Sequence, residues 1–172
     1  MKINTAKKLI VNIFKKHGLI KKHAIICADA LINAELVGAS SHGVARLVSY
    51  CNRIKKKVIN PKPKIKVNKI SSTIASIDAD NSVGFVGADA GINLAIQNAK
   101  KNGIGFVAVK NSSHFGLSGY YAERAAKKGL VAFCFTNAPP AIAPHGAKKT
   151  LFGTNPICFA CPTGTKVPFV LD

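Results

Sequence analysis

Apolar side chains recur at helical spacing through the first third of the chain and at strand spacing beyond it. Between Thr5 and His17, Leu9, Ile10, Ile13 and Phe14 share one helical face, and Gly18 stops the element. A second helix is predicted from Lys22 to Val37, closed by Gly38. A third is predicted from Ser41 toward Ile54, using Val44, Leu47, Val48 and Cys51. Val58 to Lys69, with Pro61 and Pro63, reads as an extended basic connection. After it the texture changes to strand (Ser72–Ile77), turn (Asp78–Asn81), helix (Ala88–Lys100) and strand (Ile104–Val109). A polar loop, Lys110 to Gly119, leads to a helix at Tyr120–Lys128 and a strand at Leu130–Phe135. This alternation is that of an α/β domain. An irregular stretch, Thr136 to Pro156, precedes two short apolar runs, Ile157–Cys161 and Pro168–Leu171, and the sequence stops at Asp172.

The 172 residues are 48% hydrophobic, enough for a packed core, so a disordered basic tail is excluded. The net charge is +18 and unevenly placed: residues 1–70 hold 16 basic and 2 acidic side chains, residues 71–172 hold 9 and 5. The crossing near Lys69 marks an expected boundary between a basic helical segment, 1–70, and a partial α/β domain, 71–172. Such a field attracts polyanions. Yet only Arg46, Arg53 and Arg124 supply the guanidinium fork that phosphate and base-edge readers use. The Lys excess therefore reads as solvated surface, with neither nucleic acid nor membrane expected as a partner. No run approaches the length of a membrane span. Five cysteines form no even-numbered disulfide framework, which fits a reduced, cytoplasmic setting. Cys158 and Cys161 are spaced C-x-x-C, but in a strand they point to opposite faces, so no metal or redox site is expected there.

Two polar segments carry candidate chemistry. Ser41 is positioned as an N-cap, and His42, Arg46 and Tyr50 follow at helical spacing on one face. An imidazole that exchanges a proton beside a guanidinium that grips a carboxylate suits a hydroxy-acid or keto-acid site; a helix cap with a surface Arg is the plainer alternative. His114, in Asn111-Ser112-Ser113-His114-Phe115-Gly116, lies just past a strand, a favoured place for ligand contact in α/β domains. His17 and His23 fall on basic helix surfaces. Neither G-x-G-x-x-G nor a P-loop is present, and Gly84, Gly87 and Gly91 have the wrong spacing. The Thr136–Pro140 and Gly153–Pro156 segments could bind a cofactor through backbone N–H groups or be simple turns.

Taken in order, several stretches resemble the amino-terminal half of the malate/L-lactate dehydrogenase family, which lacks a Rossmann fold. They are Ser41–Arg46, Gly103–Gly105, Asn111–Tyr121, Thr136–Pro140, Ala143–Gly146, Leu151–Pro156 and Val170–Asp172. The resemblance implies a helical segment followed by part of a non-Rossmann, sulfolactate dehydrogenase-like α/β fold that binds NAD or NADP. It implies hydride transfer between that cofactor and a 2-hydroxy acid or 2-keto acid such as malate or lactate. On the family pattern His114 is the general base or acid, and His42 supplies or relays a proton. Arg46 holds the substrate carboxylate, helped by Ser41 and Tyr50. Cofactor contacts map onto Asn137, Ala138 and Asp172, with Thr154 and Asn155 near the site, and no metal is implied. Family enzymes are homodimers or assemblies of dimers.

Two departures stand out. The family's usual Trp before the glycine of the Ala-Pro-Trp-Gly loop is His145 here. Family members also run to about twice this length, so the chain is expected to be a fragment of a longer product or an inactive remnant. Activity of these 172 residues alone is not expected.

Overall fold

A computed structural model describes residues 2–172. The helical periodicity of the first third becomes three helices: α1 (Ile3–Lys16), α2 (Lys21–Leu36) and α3 (Leu47–Lys55). On α1, Ile10 and Phe14 are buried while the lysines ring the outside. Its apolar face packs on α2, which buries Cys27, Ala28 and Leu31. Burial removes these side chains from water and gives the amino-terminal region its core. An ion pair, Lys7 with Asp29, ties the two helices at the rim.

Next come β1 (Lys66–Lys69), β2 (Ile74–Ser82), α4 (Gly84–Asn102) and β3 (Phe106–Ser112). They form a three-stranded sheet in which β1 runs antiparallel to β2, and β2 parallel to β3 through the α4 crossover. β2 buries Ala75, Ile77 and Ala79 with period two, as a half-buried strand should. The expected turn at Asp78–Asn81 is instead an irregularity within β2: Asp80 and Asn81 take positive φ, and the register with β3 shifts between Asp78 and Ser82.

The compact units do not divide near Lys69. One runs through Leu117 and the other spans Ser118–Asp172. The basic connection belongs to the first sheet because its last four residues pair with β2 as β1. Before that, Asn60 N–H donates to the Asn81 carbonyl, and Asp80 accepts from the Lys64 N–H and the Asn60 side chain.

The second unit contains α5 (Ser118–Ala126), β4 (Ala132–Phe135), β5 (Ile157–Cys161) and β6 (Phe169–Leu171). The three strands form an antiparallel sheet in the order β4-β5-β6, and α5 packs on one of its faces. Cys158 lies buried on that face and Cys161 on the other. All five cysteines are free, and no cluster able to hold a metal ion occurs among the described residues. Among the described residues no helix is long and apolar enough to cross a membrane.

Candidate active site

The Ser41–Arg46 segment is not the first turn of an α-helix. It forms two short 3-10 turns, Ser40–His42 and Val44–Arg46, separated by Gly43 at φ −91° and ψ −146°, and α3 begins only at Leu47. The cause is a tertiary contact. The Glu35 carboxylate, at the end of α2, accepts the Val44 N–H at 2.7 Å and occupies the space that a Cβ on Gly43 would need. Ser41 is therefore no N-cap; its hydroxyl is 3.0 Å from His42 Nδ1. Arg46 folds back, its Nε donating to the Ser41 carbonyl at 2.7 Å. That bond fixes the base of the guanidinium and leaves its terminal nitrogens without a partner among the described residues.

Tyr50 sits one turn into α3 and is buried. Its hydroxyl meets His114 Nδ1 at 2.6 Å, across 64 positions of sequence, so this side chain holds the imidazole. Phe85 packs against the Tyr50 ring at a centroid distance of 5.0 Å, and the His42 ring stacks near His114 at 5.6 Å. The first unit thus gathers Ser41, His42, Arg46, Tyr50 and His114. His23 is half-buried on α2 and stands outside this group.

The loop that carries His114 is clamped by the start of α4. Ser113 Oγ accepts the Gly84 N–H at 3.0 Å and donates to the Ser82 carbonyl at 3.1 Å. Any Cβ on Gly84 would overlap the carbonyl oxygens of Ser113 and His114. A Cβ on Gly87 would crowd Ser112 and Ala79, and one on Gly91 would crowd Val109. These glycines, whose spacing fits no phosphate-binding motif, let α4 approach β3 and its loop closely. Glu35, Phe85 and the Ser113 clamp were not legible in the sequence; the glycine spacing was the one available signal.

The electrostatics favour a neutral imidazole. Burial of its inner edge comes first in lowering the His114 pKa below the usual 6.5, and the nearby His42, Arg46 and Arg53 push it the same way. The outer part of the ring remains exposed. Burial also raises the Tyr50 pKa, outweighing Arg46 and Arg53, so its hydroxyl stays neutral and can donate or accept. The Gly116 N–H points at His114 Nδ1 from 3.3 Å, which favours the resting tautomer with the proton on Nε2. When Nδ1–H donates to Tyr50 instead, Nε2 carries the free lone pair.

The second unit holds the remaining expected residues. Asn155, at φ +40°, accepts the Ala138 N–H through its side-chain oxygen at 2.9 Å. A Cβ on Gly153 would overlap the Ala138 carbonyl, so the 137–138 and 153–155 segments are locked together as one structure. The side chains of Asn137 and Thr154 are exposed on it. Asp172 accepts the Gly119 N–H at 2.6 Å and so satisfies a free donor at the start of α5. His145 is exposed within the irregular stretch.

All 172 residues match the family model described as malate/L-lactate dehydrogenase. The chain is 42% identical over its whole length to the L-sulfolactate dehydrogenase of Methanocaldococcus jannaschii, covering 50% of that protein. It is 44% identical over 163 residues to the malate dehydrogenase of Pyrococcus abyssi, covering 45% of it. The solved malate dehydrogenase of Pyrococcus horikoshii OT3 superposes with a TM-score of 0.95 at 41% identity, over 100% of this chain and 49% of that one. The chain spans about half the length of the curated relatives it matches.

Proposed function

The chain belongs to the malate/L-lactate dehydrogenase family, and from that premise we propose that it supplies the acid–base and carboxylate-binding residues of a 2-hydroxy-acid oxidoreductase using NAD or NADP. The observation that carries this reading is the contact of Tyr50 with His114 Nδ1, which aims the opposite nitrogen outward beside His42 and Arg46. An anionic substrate is drawn to the positive field of Arg46 and Arg53. The free nitrogens of Arg46 take its carboxylate in a fork, which fixes the C2 carbon and its hydroxyl near His114. Ser41 contributes from the same turn.

In oxidation His114 Nε2 accepts the hydroxyl proton as C2–H breaks and its electron pair leaves as hydride. For this step His114 takes the tautomer whose Nδ1–H donates to the Tyr50 oxygen, which frees the Nε2 lone pair and leaves the imidazolium stabilised by a neutral partner. In reduction the same proton returns from Nε2 to the keto oxygen. His42, stacked beside the ring, relays the proton to solvent. NAD or NADP, when bound, would supply the acceptor or donor of that hydride. The amide of Asn137, the hydroxyl of Thr154 and the carboxylate of Asp172 are neutral-to-acidic hydrogen-bonding groups of the kinds that suit a carboxamide and ribose hydroxyls. Ala138 and Asn155 shape that surface. Homodimeric assembly and cytoplasmic residence belong to this reading on family likeness.

Oxamate, a planar isostere of a 2-keto acid, tests the carboxylate site directly on this chain. Its addition is expected to shift the imidazole resonances of His42 and His114. An Arg46→Lys variant, which loses the fork, should bind it about tenfold more weakly. Unchanged resonances, or equal affinity in the variant, would remove Arg46 from the proposed site.

A further inference from the structure

The sheet of the second unit is apolar on both faces, and only one is covered. Ala132, Cys134, Cys158, Ala160 and Val170 point toward α5. The opposite face carries Phe133, Phe135, Ile157, Phe159, Phe169 and Leu171, in register across all three strands. The Phe133 ring lies 5.1 Å from Phe159 and 5.9 Å from Phe135, and Phe159 lies 6.2 Å from Phe169, so the rings form one continuous surface. Phe133 is 59% exposed, Ile157 66% and Leu171 62%. None of these six positions carries a charge.

A sheet meant to face water on one side alternates apolar inward with polar outward. Strands that are apolar at every position are those covered on both sides, and an apolar patch of this kind marks an interaction surface. Two occupants have the right chemistry: a second copy of this chain, or the polypeptide that relatives carry in addition to the matched half. Length argues for the second occupant, because the relatives contain about as much chain again outside the match.

We infer that the aromatic face of β4-β5-β6 docks polypeptide corresponding to the half of the malate/L-lactate dehydrogenase chain that these 172 residues do not span. The inference rests on family membership and is independent of the chemistry at His114. Its test reads association, so it can fail while the hydroxy-acid reading stands, and the reverse.

The probe is the half of the Methanocaldococcus jannaschii L-sulfolactate dehydrogenase that lies outside the match, mixed with this chain and followed by sedimentation velocity. A complex with equal numbers of the two chains is expected, weakened roughly 100-fold by Phe133→Asp with Phe159→Asp. Leu36→Asp, exposed at the end of α2, should leave it unchanged. A readout free of mutation is alkylation of Cys161, which lies on the same open face opposite Phe169 and should slow in the complex. Three results would each overturn the inference: no complex, a complex with undiminished Cys161 alkylation, or self-association of this chain through the same face that the added half does not displace.

Discussion

A His114→Gln substitution, in this chain assembled with the rest of the fold, lowers kcat for 2-hydroxy-acid oxidation by about 10²–10⁴-fold while leaving KM within a few-fold of wild type. Glutamine retains a polar side chain of similar reach, so the Ser113 clamp and the Tyr50 contact surface stay close to their places. It cannot accept a proton at neutral pH. Substrate binding survives because the carboxylate is gripped by Arg46, a separate residue. The wild-type pH profile belongs to the same expectation. The His114 pKa lies below 6.5, so the base form required for oxidation persists into mildly acid solution, and kcat/KM falls only as the pH drops below about 6.5. The same shift has a stability consequence of matching sign. Between the folded pKa and 6.5 the unfolded chain binds the extra proton, so this contribution is complete above 6.5 and is lost as pH falls toward the folded value. Steady-state kinetics across pH decide the matter. A loss smaller than tenfold, or an acidic limb centred above 6.5, would assign proton transfer to another group.

Gly84→Ala is the structural counterpart. Its new methyl would meet the backbone carbonyls of Ser113 and His114, which cannot swing aside as a flexible side chain would. Either α4 shifts or the His114 loop does, at a cost of about 3 kcal/mol in unfolding free energy. The loop is held by the Gly84 N–H to Ser113 Oγ bond, so the displacement also takes His114 away from Tyr50. Urea unfolding, together with the His114 imidazole resonances, measures both effects. A fully stable variant with unmoved His114 resonances would show that the close approach of α4 to the loop is incidental.

Much of this arrangement was legible in the sequence where it depended on local pattern. The first two helices lie where periodicity and terminal glycines placed them, and β5 covers the apolar run Ile157–Cys161. Family motifs pointed to Ser41, His42, Arg46, Tyr50 and His114, and the first unit brings all five together. The failures share a physical origin, which is that a distant partner overrode local preference. Pro61, Pro63 and the run of lysines make Val58–Lys69 look like a connection, and only pairing with β2 shows that its last four residues form the strand β1. The helix start at Ser41 was displaced to Leu47 because Glu35 takes the Val44 N–H and Gly43 turns the chain. The bond from Tyr50 to His114 joins residues 64 positions apart, and no spacing rule reports it. Gly84, Gly87 and Gly91 fit no phosphate motif; Gly84 admits the backbone of the His114 loop, and Gly87 and Gly91 admit side chains of β2 and β3.

The same contrast applies to the strong positive charge. Most of it is lysine, 22 of the 25 basic side chains. Arg46 and Arg53 instead act on the site, adding to burial and His42 in lowering the His114 pKa, and under the proposed function they attract the anionic substrate.

The central claim is that hydride leaves C2 of a 2-hydroxy acid held by Arg46 while His114 takes the hydroxyl proton. It is tested most directly by following isotope from the substrate carbon. Malate, lactate and sulfolactate deuterated at C2 are incubated with NAD⁺ or NADP⁺ and the assembled protein, and the reduced nicotinamide is examined by NMR. One deuterium at C4 for each keto acid formed, with transfer suppressed in His114→Gln, is the predicted result. Keto acid formed without deuterium at C4, or no transfer from any of these acids, would contradict it.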